Sequence, residues 1–170
     1  MAQKDRYAII RCIVDKVKDV GKIRMQKLVY FLQWIFNVPL GYDYKMHYYG
    51  PYSDELNSDL IAMQMSKTLE VGADPSGYGY HIIPGTEAVT TRDEILGKYS
   101  ENISKCLSEF DKFNPNELEI ISTLHFAKYV AGVPDEDKII EKTSMLKPVF
   151  PKVAIKQAYK KLESIMKSAL

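Results

Sequence analysis

Apolar residues recur at helical spacing near the start of the chain. Tyr7, Ile10, Val14 and Val17 lie three or four positions apart, which is the spacing of one face of an α-helix. The pattern predicts a helix over residues 4 to 19 that ends at Gly21.

A second apolar helix is predicted from Ile23 onward. Its apolar residues crowd one face and its flanks, and they include Leu28, Phe31, Leu32 and Ile35. The stretch is little more than a dozen residues long, whereas a membrane span needs about 20 apolar residues. We therefore expect a buried core helix and no contact with a membrane.

The chain is next predicted to turn sharply at Gly50 and Pro51. The ring of a proline excludes the helical conformation for the residue before it, so residues 44 to 49 are predicted to form a strand that turns at an extended Gly50. The corner is rich in tyrosine, with Tyr48 and Tyr49 before it.

A third helix is predicted to begin immediately after this corner. Ser53 stands where an N-cap is needed, and we expect its hydroxyl to accept a hydrogen bond from the backbone of residue 55 or 56. Asp54 and Glu55 then place negative charge on the positive end of the helix. The helix is expected to continue to about Lys67.

Two short β-prone runs, residues 68 to 71 and 78 to 83, come next. The loop between them is rich in Gly, Pro, Asp and Ser, which predicts a hairpin. Helix, helix, strand, helix and hairpin follow one another in the order of a winged helix.

The remaining half of the chain is predicted to be helical. Thr91 with Glu94, and Asn114 with Glu117, have the spacing of capping boxes. Helices are expected over residues 92 to 111 and 115 to 130, from Pro134 to about Leu146, and from Pro151 onward. The predicted fold class is therefore α+β, mainly α: a winged-helix-like part with a small antiparallel hairpin over residues 1 to 90, then a helical lobe over residues 91 to 170.

The net charge of +1 conceals an uneven distribution along the 170 residues. Residues 1 to 30 carry eight basic against three acidic residues, residues 138 to 170 carry eight against two, and the middle carries seven against seventeen. This pattern indicates either basic ends that fold over the acidic middle of the same or a second chain, as in a homodimer, or simply solvated helix faces that differ in charge. On the first interpretation, we expect the first and last helices to share one buried seam.

The chain has two cysteines, Cys12 and Cys106, far apart in sequence and each at a position that suits a helix face. We find no signal peptide before them, so buried free thiols in a reducing cytoplasm are expected.

Residues that could support catalysis are few. His47, His81 and His125 lack a second ligand at metal spacing, so we expect no metal, no cofactor and no enzymatic activity. His47 and its neighbouring tyrosines either form a site or simply pack as a hydrogen-bonded corner. On the first interpretation, the candidate partner-binding residues are His47, Tyr49, Tyr52, Asp54, Glu55 and Asp59.

The distribution of charge indicates which helices could bind nucleic acid. The helix after the corner is acidic, which is the wrong sign for a helix that enters the major groove. Lys152, Lys156 and Lys160 recur every four positions on the last helix. They are either a candidate nucleic-acid contact or a solvated face opposite Ile155 and Tyr159.

The motif Lys27-Leu28-Val29-Tyr30, together with the segment from residue 47 to 56, resembles the YwgA-like proteins of bacteria and archaea. These are distantly similar to the Panacea antitoxin domain, which shares a Lys-Leu-x-Tyr helix followed by a Tyr-Gly-Pro corner. The resemblance implies a winged-helix-like fold and, through Panacea, a partner protein that is neutralised or presented. The expected function is a non-catalytic regulatory or protein-interaction module, and the alternative is a DNA-binding transcriptional regulator that uses its basic terminal helices.

Overall fold

The protein is described here from a computed structural model covering residues 1 to 18, 20 to 73, 79 to 89 and 93 to 169. The described residues are mainly helical and include small antiparallel sheets. The helices are α1 (Gln3–Val17), α2 (Lys22–Trp34), α3 (Asp54–Met65), α4 (Asp93–Phe110), α5 (Pro115–His125), α6 (Glu136–Leu146) and α7 (Lys152–Ala169). The strands are β1 (Val20–Gly21), β2 (Lys45–His47), β3 (Gly50–Tyr52), β4 (Leu69–Ala73) and β5 (Tyr80–Pro84). The α+β, mainly α class predicted from the sequence is confirmed.

The strands form two antiparallel sheets. One has three strands in the order β1-β5-β4, and the other is the two-stranded hairpin of β2 and β3. The predicted pairing of β4 with β5 is confirmed, whereas most of the loop that joins them lies outside the described residues. The strand β1 was not predicted, because two residues carry no readable alternation of apolar and polar positions.

Local signals place most helix ends correctly, with two exceptions. Gly21 does not end α1, which stops at Val17; it belongs to β1 and precedes α2. The helix predicted from Pro134 begins at Glu136 instead, because the Asp135 side chain caps it by accepting a hydrogen bond from the amide of Lys138.

The two capping boxes have different outcomes. Asn114 and Glu117 bond each other's backbone amides in both directions, as predicted. Thr91, the cap residue of the other box, lies outside the described residues.

Helix α2 runs through the core. Every residue from Met25 to Leu32 is buried, and the helix packs against α4, α5 and β3. The rings of Phe31 and Phe110 stack with centroids 3.8 Å apart. Buried side chains from both sides of residue 90 pack in this one core, and the domain boundary there stays a prediction.

The first and last helices do not share the expected seam. Helix α1 packs mainly against α4 and β5, and α7 packs mainly against α5 and α6. The helical half of the chain does cover the apolar face of α1, but it does so with α4. The prediction of a shared seam was wrong, because the net charge of a segment does not show which helix faces fit together.

Cys12 and Cys106 are both free thiols, as predicted, with Cys106 buried and Cys12 half-buried. Among the residues that the structure describes, no helix is long and apolar enough to cross a membrane.

The N-cap of α3 supplies a direct test of the local energetics. The Ser53 hydroxyl is fully buried and accepts a hydrogen bond of 3.2 Å from the amide of Leu56. Replacing Ser53 with Ala leaves that amide without its partner, so we expect the free energy of unfolding to fall by about 1 kcal/mol. Urea unfolding followed by circular dichroism measures the change, with Ser58→Ala on the exposed side of α3 as the control. Equal losses in the two variants would contradict the capping role.

Candidate functional site

The hairpin of β2 and β3 presents two aromatic side chains to solvent. Lys45 pairs with Tyr52 and His47 pairs with Gly50, which leaves Tyr48 and Tyr49 in the connecting turn. Their side chains are 71% and 48% exposed, and their rings meet edge to face with centroids 4.9 Å apart. We call residues 47 to 52 the tyrosine corner.

Gly50 lets this corner approach α5 closely. Its φ is +86°, a left-handed conformation that glycine adopts without steric cost, so the expectation of an ordinary extended Gly50 was wrong. A Cβ added there would lie 3.1 Å from the Ser122 hydroxyl oxygen and 3.2 Å from that of Thr123. The glycine is therefore needed both for the turn and for its contact with α5.

Two buried lysines hold the backbone of the corner from below. Lys27, on α2, donates a hydrogen bond of 2.5 Å to the carbonyl of Pro51. Lys147, just after α6, donates to the carbonyl of Tyr48 and forms an ion pair of 2.7 Å with Glu119 on α5. Both lysine side chains are almost completely buried. The tyrosine corner is thus fixed by lysine side chains from two different helical segments.

The surroundings of Lys27 disfavour its charged form. Burial lowers the pKa of Lys27 to about 7, the carboxylate of Glu119 opposes that shift, and the cation of Lys147 adds to it. A buried ammonium loses its hydration and recovers only part of it from neighbouring groups. Lys27 is therefore a buried structural group beneath the corner whose charged form is disfavoured.

A side-chain clamp joins the corner to α2 at a second point. The Gln26 amide donates to the carbonyl of Ser53 at 3.0 Å and accepts from the amide of Ser53 at 2.9 Å. Together with Lys27, consecutive residues of α2 satisfy buried backbone groups at both Pro51 and Ser53. Buried backbone groups without such partners would destabilise the fold.

The remaining predicted partner-binding residues divide into exposed and buried groups. His47 is exposed, and its ring lies 5.2 Å from that of the half-buried Tyr52. Asp54 and Glu55 are exposed on the first turn of α3. These four and Tyr49 lie together on or beside the corner.

Asp59 does not belong to this surface, which corrects its prediction as a partner contact. Its carboxylate is buried and accepts hydrogen bonds from Gln3, Arg6 and Tyr42 at 3.1, 3.0 and 2.7 Å. These donors come from α1 and from the segment before β2, so the role of Asp59 is to join α3 to them.

A second polar contact lies inside the molecule between α2 and α5. The Tyr30 hydroxyl and Nδ1 of His125 are 2.7 Å apart in a buried hydrogen bond. Burial lowers the pKa of His125 to about 4 and raises that of Tyr30, so both groups are neutral at neutral pH. Immediately after His125, residues Phe126–Val130 form a π-helical turn, where the sequence predicted ordinary helix.

The predicted lysine stripe on α7 is present. Lys152, Lys156 and Lys160 are exposed, and Ile155 and Tyr159 on the opposite face are buried. Among the residues that the structure describes, no group of three His, Cys, Asp or Glu side chains could hold a metal ion.

Sequence reasoning missed Lys147 and Glu119 as partners of the corner. The signal for Lys27 was its place within an apolar run, which is unusual because lysine is rarely buried without a partner. Lys147 and Glu119 also lie between apolar residues in the sequence. That signal does not identify their partners, which are far away in the chain.

The shifted pKa of Lys27 predicts a pH dependence of stability. The folded pKa of about 7 lies below the ordinary value of 10.5, so between these values the unfolded chain binds the proton and the folded chain does not. Stability therefore rises with pH in this window, by up to about 1.4 kcal/mol per pH unit from this group. We expect Lys27→Met to lose that part of the rise.

Urea unfolding of the wild type and Lys27→Met from pH 7 to 9.5 measures this difference. Lys4→Met, which removes an exposed lysine from α1, is the control and should keep the wild-type slope. Parallel curves for the wild type and Lys27→Met would show that Lys27 does not titrate as stated.

Comparison with known proteins gives one informative relative. No family model matches the chain. The chain is similar to the uncharacterized protein YwgA of Bacillus subtilis strain 168, with 25% identity over 139 residues, which cover 79% of this chain and 80% of that protein. This similarity supports the YwgA-like family predicted from the Lys-Leu-Val-Tyr motif and the tyrosine corner.

Proposed function

We propose that the protein is a non-catalytic regulatory module of winged-helix type that binds a partner protein through its tyrosine corner. The observation that carries this proposal is the exposure of Tyr48 and Tyr49 on a turn that Lys27 and Lys147 fix from below. His47, Tyr52, Asp54 and Glu55 form the rest of the proposed contact.

The physical argument concerns the cost of binding. Tyrosine is enriched in protein interfaces and their hot spots, because it offers a large amphipathic surface with few rotatable bonds. A turn whose carbonyls are already bonded to buried lysines has little backbone freedom left to lose on binding. Exposed aromatic side chains on such a turn are therefore suited to recognition.

The element order supports the winged-helix description. Helices α1, α2 and α3 are followed by the hairpin of β4 and β5, and β1 completes a sheet with that hairpin. On this description, α3 is the helix that would face a groove in a DNA-binding relative. Its first turn carries Asp54 and Glu55, which favours a protein partner over phosphate.

The resemblance to the Panacea domain suggests an antitoxin-like partner relationship, in which the module neutralises or presents another protein. The free thiols of Cys12 and Cys106 fit the cytoplasmic location that we propose with it.

The proposal is tested by co-purification from the native host followed by quantitative mass spectrometry. We expect the wild-type chain to retain a partner that Tyr48→Ala/Tyr49→Ala loses by about tenfold or more, since hot-spot aromatics contribute more than 1 kcal/mol each. Tyr80→Ala removes a tyrosine that is 59% exposed on β5, away from the corner, and should retain the partner.

Thermal melts establish that all three proteins are folded. If the corner variant and the control retain the same proteins in the same amounts, the corner is not the contact surface.

A second candidate function is DNA binding through the basic terminal helices. The exposed stripe of Lys152, Lys156 and Lys160 favours it, because lysines at helical spacing can follow a phosphate backbone. The acidic first turn of α3 opposes groove recognition, so this mode would be largely independent of sequence.

Fluorescence anisotropy with duplex DNA tests whether the chain binds DNA with the affinity and sequence preference of a transcriptional regulator. We expect dissociation constants no tighter than about 10⁻⁶ M at physiological salt, with no preference among sequences. Replacing the three stripe lysines with Gln should weaken even this binding, whereas Gln64→Ala on α3 should not. Nanomolar, sequence-dependent affinity that Gln64→Ala abolishes would instead identify α3 as a DNA-reading helix.

A further inference from the structure

Large apolar side chains are unusually exposed where α6 passes into α7. Met145 is 72% exposed, Val149 70% and Val153 67%, and Leu146 is also exposed. We call residues 145 to 153 the α6–α7 corner. Isolated exposed apolar residues are ordinary, but a group of them on one connection is typical of an interaction surface.

This corner adjoins the tyrosine corner. Lys147, within it, donates its hydrogen bond to the carbonyl of Tyr48, and its ammonium lies 5.9 Å from the centre of the Tyr48 ring. The two corners are therefore joined through Lys147.

Positive charge borders this joint surface at two places. Lys142 lies three and four positions before Met145 and Leu146, on their side of α6, and Lys156 lies three positions after Val153 on α7. Both lysines are exposed, and neither forms a salt bridge with an acidic side chain among the described residues.

The other charges nearby leave the rim with two lysines, Lys142 and Lys156, against one carboxylate. Lys161 and Lys128 are paired with Glu117 and Glu163. Glu141 is exposed and lies four positions before Met145, so it borders the surface on that side, whereas Lys142 lies beside Leu146.

We propose that the surface formed by Tyr48, Met145, Val149 and Val153 binds a segment of a partner protein that is apolar at its centre and acidic at its ends. The inference rests on the proposed function and adds the place and the chemistry of the partner. Apolar side chains of the segment cover the four exposed ones, and its carboxylates meet Lys142 and Lys156.

Charge and apolarity together select a protein segment. Duplex DNA would complement the charge of the lysines. It would also place phosphates against Met145 and Val149, and apolar side chains gain no favourable contact with phosphate. Side chains that insert into a membrane interface are chiefly Trp, Phe and Leu, with a basic face, whereas this surface is mostly Met and Val. An acidic amphipathic segment satisfies both features at once.

The test uses a phage-displayed library of random 16-residue peptides, selected on the full chain. Selected peptides are synthesised and their affinities measured for the wild type, Val149→Asp/Val153→Asp and Lys142→Glu/Lys156→Glu. Met65→Asp, at an 80% exposed position on α3, is the matched control. Each variant is first shown to melt at the wild-type temperature, as its exposed position predicts.

We expect peptides that combine Leu, Phe or Trp with flanking Asp or Glu. Their affinity should fall about tenfold or more in both corner variants and stay unchanged in Met65→Asp. Selection of basic or uncharged peptides, equal affinity for all four proteins, or no enrichment at all would overturn the inference.

Two further measurements separate the alternatives. The first is binding to phosphatidylserine vesicles, and the second is binding to duplex DNA. Either ligand would overturn the inference, and the surface would be assigned to it, if its binding is lost in Val149→Asp/Val153→Asp and in Lys142→Glu/Lys156→Glu and the selected peptides do not displace it.

Capture of the native partner distinguishes the proposed function from this inference. If capture of that partner requires Tyr48 and Tyr49 but survives Val149→Asp/Val153→Asp, the proposed function stands and this inference fails. If the selected peptides bind the α6–α7 corner but native co-purification yields no partner that requires Tyr48 and Tyr49, the proposed function fails and the docking surface stands.

Discussion

Two buried lysine side chains determine the shape of the surface that this protein presents. Lys27 and Lys147 bond the carbonyls of Pro51 and Tyr48, so the tip and the base of the tyrosine corner are both fixed. Glu119 forms an ion pair with Lys147 and opposes the lowering of the Lys27 pKa. A buried ion pair contributes little net stability, but removal of one partner leaves an uncompensated charge. The position of the corner therefore depends on all three groups being present.

Helix α2 connects this polar arrangement to the apolar core. Its Phe31 stacks on Phe110, while its Gln26 and Lys27 satisfy backbone groups around the corner. Within two turns, α2 therefore packs in the core and also supports the tyrosine corner. Movement of α2 would disturb both, which couples the stability of the core to the geometry of the tyrosines.

Helix α5 supports the corner from the other side. It contributes Glu119, and its Ser122 and Thr123 lie against Gly50. Where α5 ends, the buried contact of His125 with Tyr30 precedes a π-helical turn. Such turns are rare and arise where the regular hydrogen-bond ladder gives way to another constraint. Here the turn begins immediately after the side chain that is anchored to α2.

The sequence by itself determined the elements whose signals lie within a few residues of each other. Apolar periodicity located α1 and α2, while Ser53 and Asn114 fixed the starts of α3 and α5, because a cap and the amide that it bonds are neighbours in the chain. Only the tertiary structure decided which polar residues are buried. Asp59 is satisfied by α1 and Tyr42, and Lys147 by groups on α5 and the corner. Such long-range partners leave no pattern in the local sequence, since their proximity results from how the helices pack.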